Sequence, residues 1–390
     1  MGFEELASCR RTSKVFPSGG VAGVLIRELR AQGWRNLEPL DLVPGPRVNV
    51  LYGDNGQGKT NLIEAAYYLA TLRSFRTSHA DELVRGGAAA AGRAQLSARV
   101  EHRGLDRKVD VRLGPEGRAV TLDGKHVRGA AAIFGAVSVV LFVPEDLLLP
   151  RAAPSARRRF LDLAVFNVER GYYKEAAAFQ KVVKSRNHLL KRGPIDPVLL
   201  DAYDEELART GARVIARRRA LVGELAPRTR DFFRALHGDF LVELRYRSAP
   251  AVDAAADEPA VLAALLAGLR AQRALDERRR FTGTGPHTDD LEIVFEGRLA
   301  REHASQGQLR SLVLALKLAE LTNVEARRGD VPVLLLDDVP SELDPTRRRF
   351  LFDMVGGLSC QTLISVTERE VVSALPDRRD FRVSGGRVIA

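Results

Sequence analysis

A glycine-rich run followed by a lysine and a threonine is the stretch whose residue types and spacing most clearly predict chemistry. It reads Gly53-Asp54-Asn55-Gly56-Gln57-Gly58-Lys59-Thr60 and fits the pattern G-x-x-x-x-G-K-[ST] at each fixed position. Glycines let the backbone N–H groups of such a loop point inward at an anion. We expect Lys59 to reach the β- and γ-phosphates of ATP and the Thr60 hydroxyl to bind Mg²⁺. A chance glycine-rich turn is the alternative interpretation.

The flanking sequence supplies the elements that would position this loop. Apolar residues alternate over positions 48–52, which predicts a buried strand ending at the loop. Apolar residues at helical spacing follow from Leu62 to Leu69, and they predict a helix whose N-terminus adds partial positive charge at the loop. Because strand, loop and helix come in the order that phosphate loops require, we predict a nucleotide site that also includes Asn61.

A second motif, an apolar run that ends in two carboxylates, lies far downstream of the phosphate loop. Four apolar residues at positions 333–336 are followed by Asp337 and Asp338. This predicts a strand with a Mg²⁺-binding carboxylate, Asp337, at its end. Asp338 is the candidate general base, and with Lys59 it forms the predicted catalytic pair; capping the following loop is its alternative role. The separation from the loop is much greater than one nucleotide domain needs, so we predict a nucleotide fold divided by an insertion.

A serine loop precedes that strand. Ser305-Gln306-Gly307-Gln308 opens a strongly helical segment, and residues 341–344 resemble the D-loop of ABC-type ATPases. In ABC-type ATPases such a serine loop binds the γ-phosphate held by a second subunit, as a helix-terminus anion site with hydroxyl and N–H donors. We therefore predict that these four residues contact ATP in trans. The plainer interpretation is a helix cap, because serine is a good N-cap residue.

The order of predicted elements divides the chain into four parts. Residues 1–22 form a leader that we expect to be disordered, and residues 23–145 form the first half of an ATPase lobe. Residues 146–283 form an inserted helical lobe, and residues 284–390 complete the ATPase lobe. The predicted fold class is α/β, an ABC-type P-loop ATPase head with a mixed sheet, helices and an antiparallel subdomain. An inserted helix of ~30 residues would be only ~45 Å long, which favours a stub over an extended coiled-coil arm.

The sequence resembles the RecF family of bacterial recombination and DNA-repair ATPases in the ABC/SMC superfamily. Besides the loops above, the resemblance rests on short motifs at residues 35–36, 74–77, 142–147, 157–162, 186–187 and 285–290. It implies ATP and Mg²⁺ as cofactors, slow DNA-stimulated hydrolysis and an ATP-dependent homodimer on DNA. It also implies work with RecO and RecR in placing RecA on gapped DNA. A transporter nucleotide-binding subunit and an SMC-like chromosome-organising protein are the alternatives.

The charge of the chain favours a polyanionic partner. The formal net charge is +10 and the pI is about 9.9, although a compositional bias towards arginine would have the same effect. We see no aromatic-plus-basic stacking motif, and phosphate contacts carry no sequence information. We therefore expect single- and double-stranded DNA to bind with little sequence preference. The candidate contacts are Arg73, Arg76, Arg157, Arg158, Arg159, Lys184 and Arg186.

Composition and residue spacing also bear on three other classes: disulfide-rich, membrane-spanning and metal-binding proteins. The two cysteines, Cys9 and Cys360, lie far apart and form no readable disulfide framework, which suits a reducing cytoplasm. We find no run of 18 apolar residues that would predict a membrane span. His287 with its neighbouring aspartates resembles a metal site, but a structural turn is the plainer interpretation. Either Glu145 or Asp146 is a candidate metal contact, with a helix cap as the alternative for Asp146.

Overall fold

The computed structural model describes residues 23–86, 92–134, 136–192, 194–253, 255–375 and 377–389, so the predicted leader lies outside the described residues. These residues form two compact units. The first, here called the head unit, takes residues up to 127, residues 135–141 and residues from 328 onward. The second, the helical unit, takes Arg128–Phe134 and Phe142–Arg327.

The two units are built from the following elements. The strands are β1 (Leu25–Gln32), β2 (Leu40–Leu42), β3 (Val48–Tyr52), β4 (Ala94–His102), β5 (Leu105–Gly114), β6 (Gly117–Leu122), β7 (Lys125–His126), β8 (Val139–Phe142), β9 (Val242–Arg247), β10 (Asp290–Phe295), β11 (Arg298–Leu299), β12 (Val333–Asp337), β13 (Thr362–Val366), β14 (Arg378–Ser384) and β15 (Arg387–Ile389). The helices are α1 (Lys59–Thr71), α2 (Ala130–Ile133), α3 (Pro154–Val168), α4 (Tyr172–Lys191), α5 (Pro197–His237), α6 (Glu258–Arg279), α7 (Ala300–His303), α8 (Gln306–Arg328), α9 (Val339–Glu342) and α10 (Pro345–Gly357).

The central sheet of the head unit places the two halves of the predicted nucleotide site at one edge. Its strand order is β15-β14-β3-β13-β12-β8. Strands β14, β3, β13 and β12 run parallel, with Val50 opposite Ile364 and Asp337 opposite Ser365. Strands β12 and β13 are buried along their whole length, as expected for parallel strands covered on both faces. The C-terminal ends of β3 and β12 therefore lie at the same edge, with β13 between them.

A second, antiparallel sheet completes the head unit. Its order is β2-β1-β4-β5-β6-β7. Buried and exposed residues alternate along β4 and β5, with Val109, Val111 and Leu113 facing inward. The predicted α/β class, a mixed sheet with helices and an antiparallel subdomain, is confirmed.

The helical unit contains a long hairpin of helices. The side chain of Asp196 caps the N-terminus of α5 by accepting from the backbone N–H groups of Val198 and Leu199 at 2.9 and 3.3 Å. Helix α5 packs against α4 and α6. It continues through Pro227 to His237 and, with 41 residues, is longer than the helix of about 30 residues expected from the sequence. Burial of Phe232 and Phe233 after the proline stabilises the helix beyond it.

The division of the chain differs from the predicted boundaries. The helical unit runs to Arg327, whereas the predicted lobe ended at residue 283. Strand β10 belongs to it because β10 pairs antiparallel with β9 over six residues and packs on α3. The serine loop and α8 also fall in the helical unit. Pairing of β10 with β9 and hydrogen bonds from α8, such as that from the Asn323 amide to Glu224 at 3.0 Å, set this boundary, and sequence order reveals neither.

Candidate nucleotide-binding site

The phosphate loop connects β3 to α1, as predicted. Its backbone conformation explains why glycine is required at two positions, Gly53 and Gly58. Gly53 has φ +146°, and a Cβ there would lie 2.3 Å from the carbonyl oxygen of Val383. Gly58 has φ +110°, and a Cβ there would lie 2.8 Å from a methyl carbon of Leu37. Larger residues at either position would strain the backbone and collide with fixed neighbours. The loop conformation thus requires glycine where the motif has it.

Lys59 lies inside this loop. Its ammonium group donates to the carbonyl oxygens of Gly53 at 2.6 Å and Asp54 at 2.8 Å, and the residue is only 6% exposed. Burial lowers the pKa of Lys59, while the nearby Asp338, Asp337 and Asp54 carboxylates raise it. A cation enclosed by loop carbonyls is a suitable partner for nucleotide phosphates, which would supply the charge that the carbonyls lack.

The two predicted metal ligands meet at the sheet edge. The Thr60 hydroxyl donates to Oδ1 of Asp337 at 3.0 Å, and the Ser365 hydroxyl donates to the same oxygen at 2.6 Å. Burial raises the pKa of Asp337, and the hydrogen bonds from Ser365 and Thr60 oppose this shift. Within the described residues, no group of three or more acidic, histidine or cysteine side chains could hold a metal ion. One carboxylate and one hydroxyl fit Mg²⁺, which typically takes its other ligands from phosphates and water.

Asp338 follows the strand with φ +53°. Its backbone N–H donates to the Ser365 hydroxyl at 2.9 Å, and its Oδ1 accepts from the Ser341 hydroxyl at 2.7 Å. The side chain is half-buried, and one of its oxygens is held by the D-loop serine beside Asp337. This geometry suits both a general base and the loop-capping role that the sequence left open.

The C-terminal hairpin and a loop asparagine hold the phosphate loop from outside. Gly385 N–H donates to the Gln57 side-chain oxygen at 2.6 Å, and Gly386 N–H donates to the Gln57 carbonyl oxygen at 3.0 Å. The Asn36 amide donates to the Gly56 carbonyl oxygen at 3.0 Å and accepts from the Asn61 amide at 2.6 Å. Sequence reasoning did not predict the contact of this hairpin with the phosphate loop; the adjacent glycines between two short strands were the available signal.

A buried ion pair explains two of the short motifs. The Arg35 guanidinium donates to both oxygens of Glu64 at 2.8 Å, and the Ser74 hydroxyl donates to Glu64 Oε1 at 2.5 Å. Glu64 is fully buried in α1. Next to this group, the Arg76 guanidinium donates to the Asn61 side chain at 2.8 Å. These motifs therefore support the nucleotide helix, and Arg76, a predicted DNA contact, lies beside the nucleotide site.

A cleft of about 310 Å³ opens beside the loop in the head unit. It lies between the start of the phosphate loop, the segment after β13 and the end of β14. Its lining residues are Tyr52, Gly53, Asp54, Gln57, Thr367, Glu368, Arg369, Glu370, Arg382, Val383 and Ser384. The concave surface therefore includes both predicted nucleotide-binding residues and residues that sequence reasoning did not select.

The serine loop forms a reciprocal cap at the start of α8. Ser305 N–H donates to the side-chain oxygen of Gln308 at 2.8 Å, and Gln308 N–H donates to the Ser305 hydroxyl at 3.2 Å. Ser305 and Gln306 are exposed, while Gly307 and Gln308 are half-buried. The cap interpretation holds, and the exposed hydroxyl is compatible with a further partner.

Two of the predicted DNA contacts are instead buried and held by internal carboxylates. Arg157 pairs with both oxygens of Asp290 at 2.7 Å and is 3% exposed. Arg186 is fully buried and donates to Asp204 at 2.6 Å and Asp276 at 2.7 Å. The prediction that Arg157 and Arg186 contact DNA is therefore wrong, because buried guanidinium groups cannot reach a phosphate.

The remaining candidates differ in exposure. Arg158 is half-buried and donates to the Asp289 carbonyl oxygen at 2.7 Å, which leaves it poorly placed for DNA. Arg73, Arg76, Arg159 and Lys184 are exposed.

The motif around His287 is structural. Nε2 of His287 lies 2.8 Å from the Thr282 carbonyl oxygen, and burial lowers the pKa of the ring. Asp289 accepts from the Tyr246 hydroxyl at 2.5 Å and from Ala249 N–H at 2.8 Å. With Asp290 paired to Arg157, the motif joins β10 to α3 and to the segment after β9. Asp146 likewise caps a short 3₁₀ helix by accepting from Val143 N–H at 3.0 Å.

Comparison with known proteins gives the family. A family model for the RecF/RecN/SMC N terminal domain matches residues 25–383. The chain is 43% identical to "DNA replication and repair protein RecF" of Anaeromyxobacter sp. (strain Fw109-5), over 92% of this chain and 97% of that protein. The chain belongs to the RecF family.

Solved structures agree with this assignment. The RecF-family chain is similar to the "recombination mediator protein RecF-ATPrS in RecFOR pathway", with a TM-score of 0.87, 30% identity and coverage of 94% of this chain and 98% of that one. It shares the fold of the Smc head domain from Pyrococcus furiosus at a TM-score of 0.55 and 15% identity, over 94% and 96% of the two chains. The predicted ABC/SMC-type head is confirmed. In the described parts of the chain, no helix has the length and apolar character that a membrane crossing needs.

Proposed function

We propose that this chain is an ATP-dependent DNA-binding protein of recombinational DNA repair. It forms an ATP-gated dimer on gapped or junction-containing DNA and, with RecO and RecR, helps to place RecA. Slow ATP hydrolysis resets the dimer. The observation that carries this proposal is the hydrogen bond between Thr60 and Asp337 beside the phosphate loop. It occurs in a chain that is similar, along nearly its whole length, to a recombination mediator whose structure is described as RecF-ATPrS.

The nucleotide chemistry is assigned to residues of the head unit. Lys59 and the loop N–H groups hold the phosphates, and Thr60 and Asp337 hold Mg²⁺, which neutralises phosphate charge. Asp338 orients and deprotonates the attacking water. The restraint of Asp338 by Ser341 at 2.7 Å supports this role, because a general base must be held within hydrogen-bonding distance of its proton donor.

The switch is assigned to the serine loop. In the proposed dimer, Ser305, Gln306, Gly307 and Gln308 of one protomer contact the γ-phosphate bound by the phosphate loop of its partner. The exposed Ser305 hydroxyl supports this role. Because ATP then bridges two protomers, ATP binding and dimerisation must strengthen each other by the same factor. Hydrolysis removes the bridging group and opens the dimer around DNA.

Partners and location follow from the relatives and from composition. The similar solved protein is described as acting in the RecFOR pathway, and the net charge of +10 suits a DNA partner. The low cysteine content fits a reducing cytoplasm.

The mass of the purified protein, measured by light scattering, tests the switch. We expect a monomer without nucleotide or with ADP, a dimer with ATP and Mg²⁺, and more dimer when duplex DNA is added. A monomer in all conditions, or a dimer that ignores ATP, would contradict the trans role of the serine loop. Loss of ATP binding itself would contradict the whole proposal.

A further inference from the structure

Four lysines lie on one exposed face of α4. Lys174, Lys181, Lys184 and Lys191 are all exposed, and at 3.6 residues per turn they fall within a sector of about 100°. We call these four residues the lysine stripe. From Lys174 to Lys191 the stripe is about 26 Å long at 1.5 Å per residue.

The opposite face of α4 is buried. Its buried residues are Tyr172, Phe179, Val183, Arg186 and Leu190. This packing fixes the orientation of the helix, so that the lysine stripe necessarily points away from the interior of the helical unit. The stripe is therefore a fixed surface rather than a set of independently placed side chains.

No acidic side chain on α4 is available to neutralise the lysine stripe. Glu175 is the one acidic residue of α4, and it already pairs with Arg217 at 3.4 Å. Among the described residues, none of the four stripe lysines takes part in an ion pair. Like charges three residues apart, such as Lys181 and Lys184, destabilise a helix by about 0.2–0.5 kcal/mol. A face retained only for solubility typically mixes both signs of charge.

Further cations continue the stripe at its Lys191 end. Arg278, Arg279 and Arg280, at the C-terminus of α6, are exposed. The Arg280 guanidinium donates to the Lys191 carbonyl oxygen at 2.9 Å, which joins the ends of α4 and α6. This contact places the three arginines near the Lys191 end of the stripe.

The chemistry of the face favours nucleic acid over protein. Between the lysines it presents the exposed Ala177 and His188, whereas strong protein interfaces depend on aromatic and other large anchors. Lysines act as point charges towards phosphate and need no particular base sequence. A stripe of about 26 Å matches about seven base pairs of duplex at 3.4 Å per step.

We propose that the lysine stripe on α4 binds the phosphate backbone of duplex DNA, with Arg278, Arg279 and Arg280 extending the contact. This inference rests on the proposed function, because it assigns a surface to the DNA partner. Of the predicted DNA contacts on α4, Lys184 belongs to the stripe, whereas the neighbouring Arg186 is in the core.

Binding of a fluorescent duplex by anisotropy, with ATP and Mg²⁺ across a salt series, tests the proposal. The variant is Lys181→Gln with Lys184→Gln and Lys191→Gln. The matched control removes three exposed charges elsewhere, through Lys125→Gln, Arg230→Gln and Arg298→Gln. We expect the stripe variant to lose about tenfold or more in affinity, and its slope of log K against log salt to fall by about 2.7, at 0.9 per phosphate contact. The loss of DNA affinity in the control should be several-fold smaller than the loss in the stripe variant.

Other outcomes separate the alternatives. A triple Lys→Arg variant at the same positions keeps the charge and should bind DNA, and retained ATP binding shows that the variants are folded. Equal losses in the stripe variant and the control would overturn the proposal. The proposal would also be overturned if the glutamine variant kept its affinity for DNA but no longer bound a poly-glutamate peptide that the unchanged protein binds. The stripe would then be a surface for an acidic protein. If the unchanged protein itself fails to bind duplex, the proposed function fails rather than the placement of the stripe.

Discussion

The hydroxyl of Thr60 donates a 3.0 Å hydrogen bond to the carboxylate of Asp337, although 277 residues separate them in the chain. The contact forms because β3 and β12 both run parallel to β13, which lies between them. Ser365 at the end of β13 donates to the same oxygen. The whole helical unit lies between these two ligands in the sequence, so the metal site can form only when both parts of the head unit have folded together.

Replacing Lys59 by methionine should abolish useful ATP binding. The ammonium group lies inside the phosphate loop, and loss of its charge-assisted hydrogen bonds, worth about 1.5–3 kcal/mol, weakens affinity by about 10- to 100-fold or more. Titration with a fluorescent ATP analogue measures this loss. Lys125→Met, on the exposed β7, is the control and should bind ATP normally. Normal affinity in the Lys59 variant would show that the loop does not hold phosphates.

Asp338→Asn should separate ATP binding from hydrolysis. Removal of a general base typically lowers the rate by about 10²–10⁴-fold, while the phosphate and metal ligands remain in place. Phosphate release under single-turnover conditions measures the rate. Asp353→Asn, on the exposed face of α10, is the matched control. An Asp338 variant with unchanged turnover would leave this residue with its loop-capping role alone.

Ser305→Arg should keep ATP binding and lose ATP-dependent dimerisation, because the long side chain fills the space expected for the partner's γ-phosphate. Ser305→Ala separates this effect from loss of the helix cap. The alanine variant loses the bond from Gln308 N–H, at a cost of about 1 kcal/mol, but leaves the space open. Light scattering with ATP and Mg²⁺ should show more dimer for alanine than for arginine. Full dimerisation of the arginine variant would exclude the sandwich arrangement.

Arg186→Leu should destabilise the protein strongly, whereas Lys184→Leu should not. Arg186 is buried between Asp204 and Asp276, and its removal leaves two buried carboxylates without their partner, at a cost of about 3–5 kcal/mol. Surface changes such as Lys184→Leu usually stay within about 0.5 kcal/mol. Urea unfolding followed by circular dichroism compares the two. Equal midpoints would mean that the buried ion pairs do not stabilise the helical unit.

Asp289 should make stability depend on pH. Burial raises its pKa to about 6, against 3.8 for an unperturbed aspartate, so between these values the folded state holds a proton that the unfolded state has released. This favourable contribution is complete below pH 3.8 and is lost as pH rises through 6. Unfolding free energies measured from pH 4 to 7 should therefore fall, relative to Asp289→Asn, by up to about 3 kcal/mol.

A second variant tests the sign of that shift. The hydrogen bond from the Tyr246 hydroxyl lowers the pKa of Asp289, so Tyr246→Phe should raise it further and move the loss of stability to higher pH. If the difference between the unchanged protein and Asp289→Asn were constant from pH 4 to 7, Asp289 would not titrate in this range.

Local patterns were enough for the elements of the nucleotide site. The phosphate loop, its strand and helix, and the apolar strand ending in Asp337 were all predicted, because period and glycine content report backbone conformation directly. The serine loop was predicted to open a helix, and it does.

The roles of charged residues needed the tertiary structure. Arg157 and Lys184 are both cationic residues in arginine- or lysine-rich helical segments, and the sequence does not distinguish them. Arg157 pairs with Asp290 in the core, whereas Lys184 lies on the surface. Burial depends on partners far away in the chain, so a local run of arginines does not reveal which guanidinium groups remain accessible. The contacts of Gly385 and Gly386 with Gln57 were not predicted for the same reason.

The sequence by itself determined the local motifs of this protein: a phosphate loop, an apolar strand ending in Asp337 and a serine loop, each encoded within a few consecutive residues. Only the tertiary structure decided which residues share an edge, a core or a surface. Strand pairing brought Thr60 to Asp337, pairing with β9 placed β10 in the helical unit, and packing of one face of α4 left its lysines outside. These outcomes depend on contacts between distant segments, whereas backbone propensity depends on neighbours in the chain.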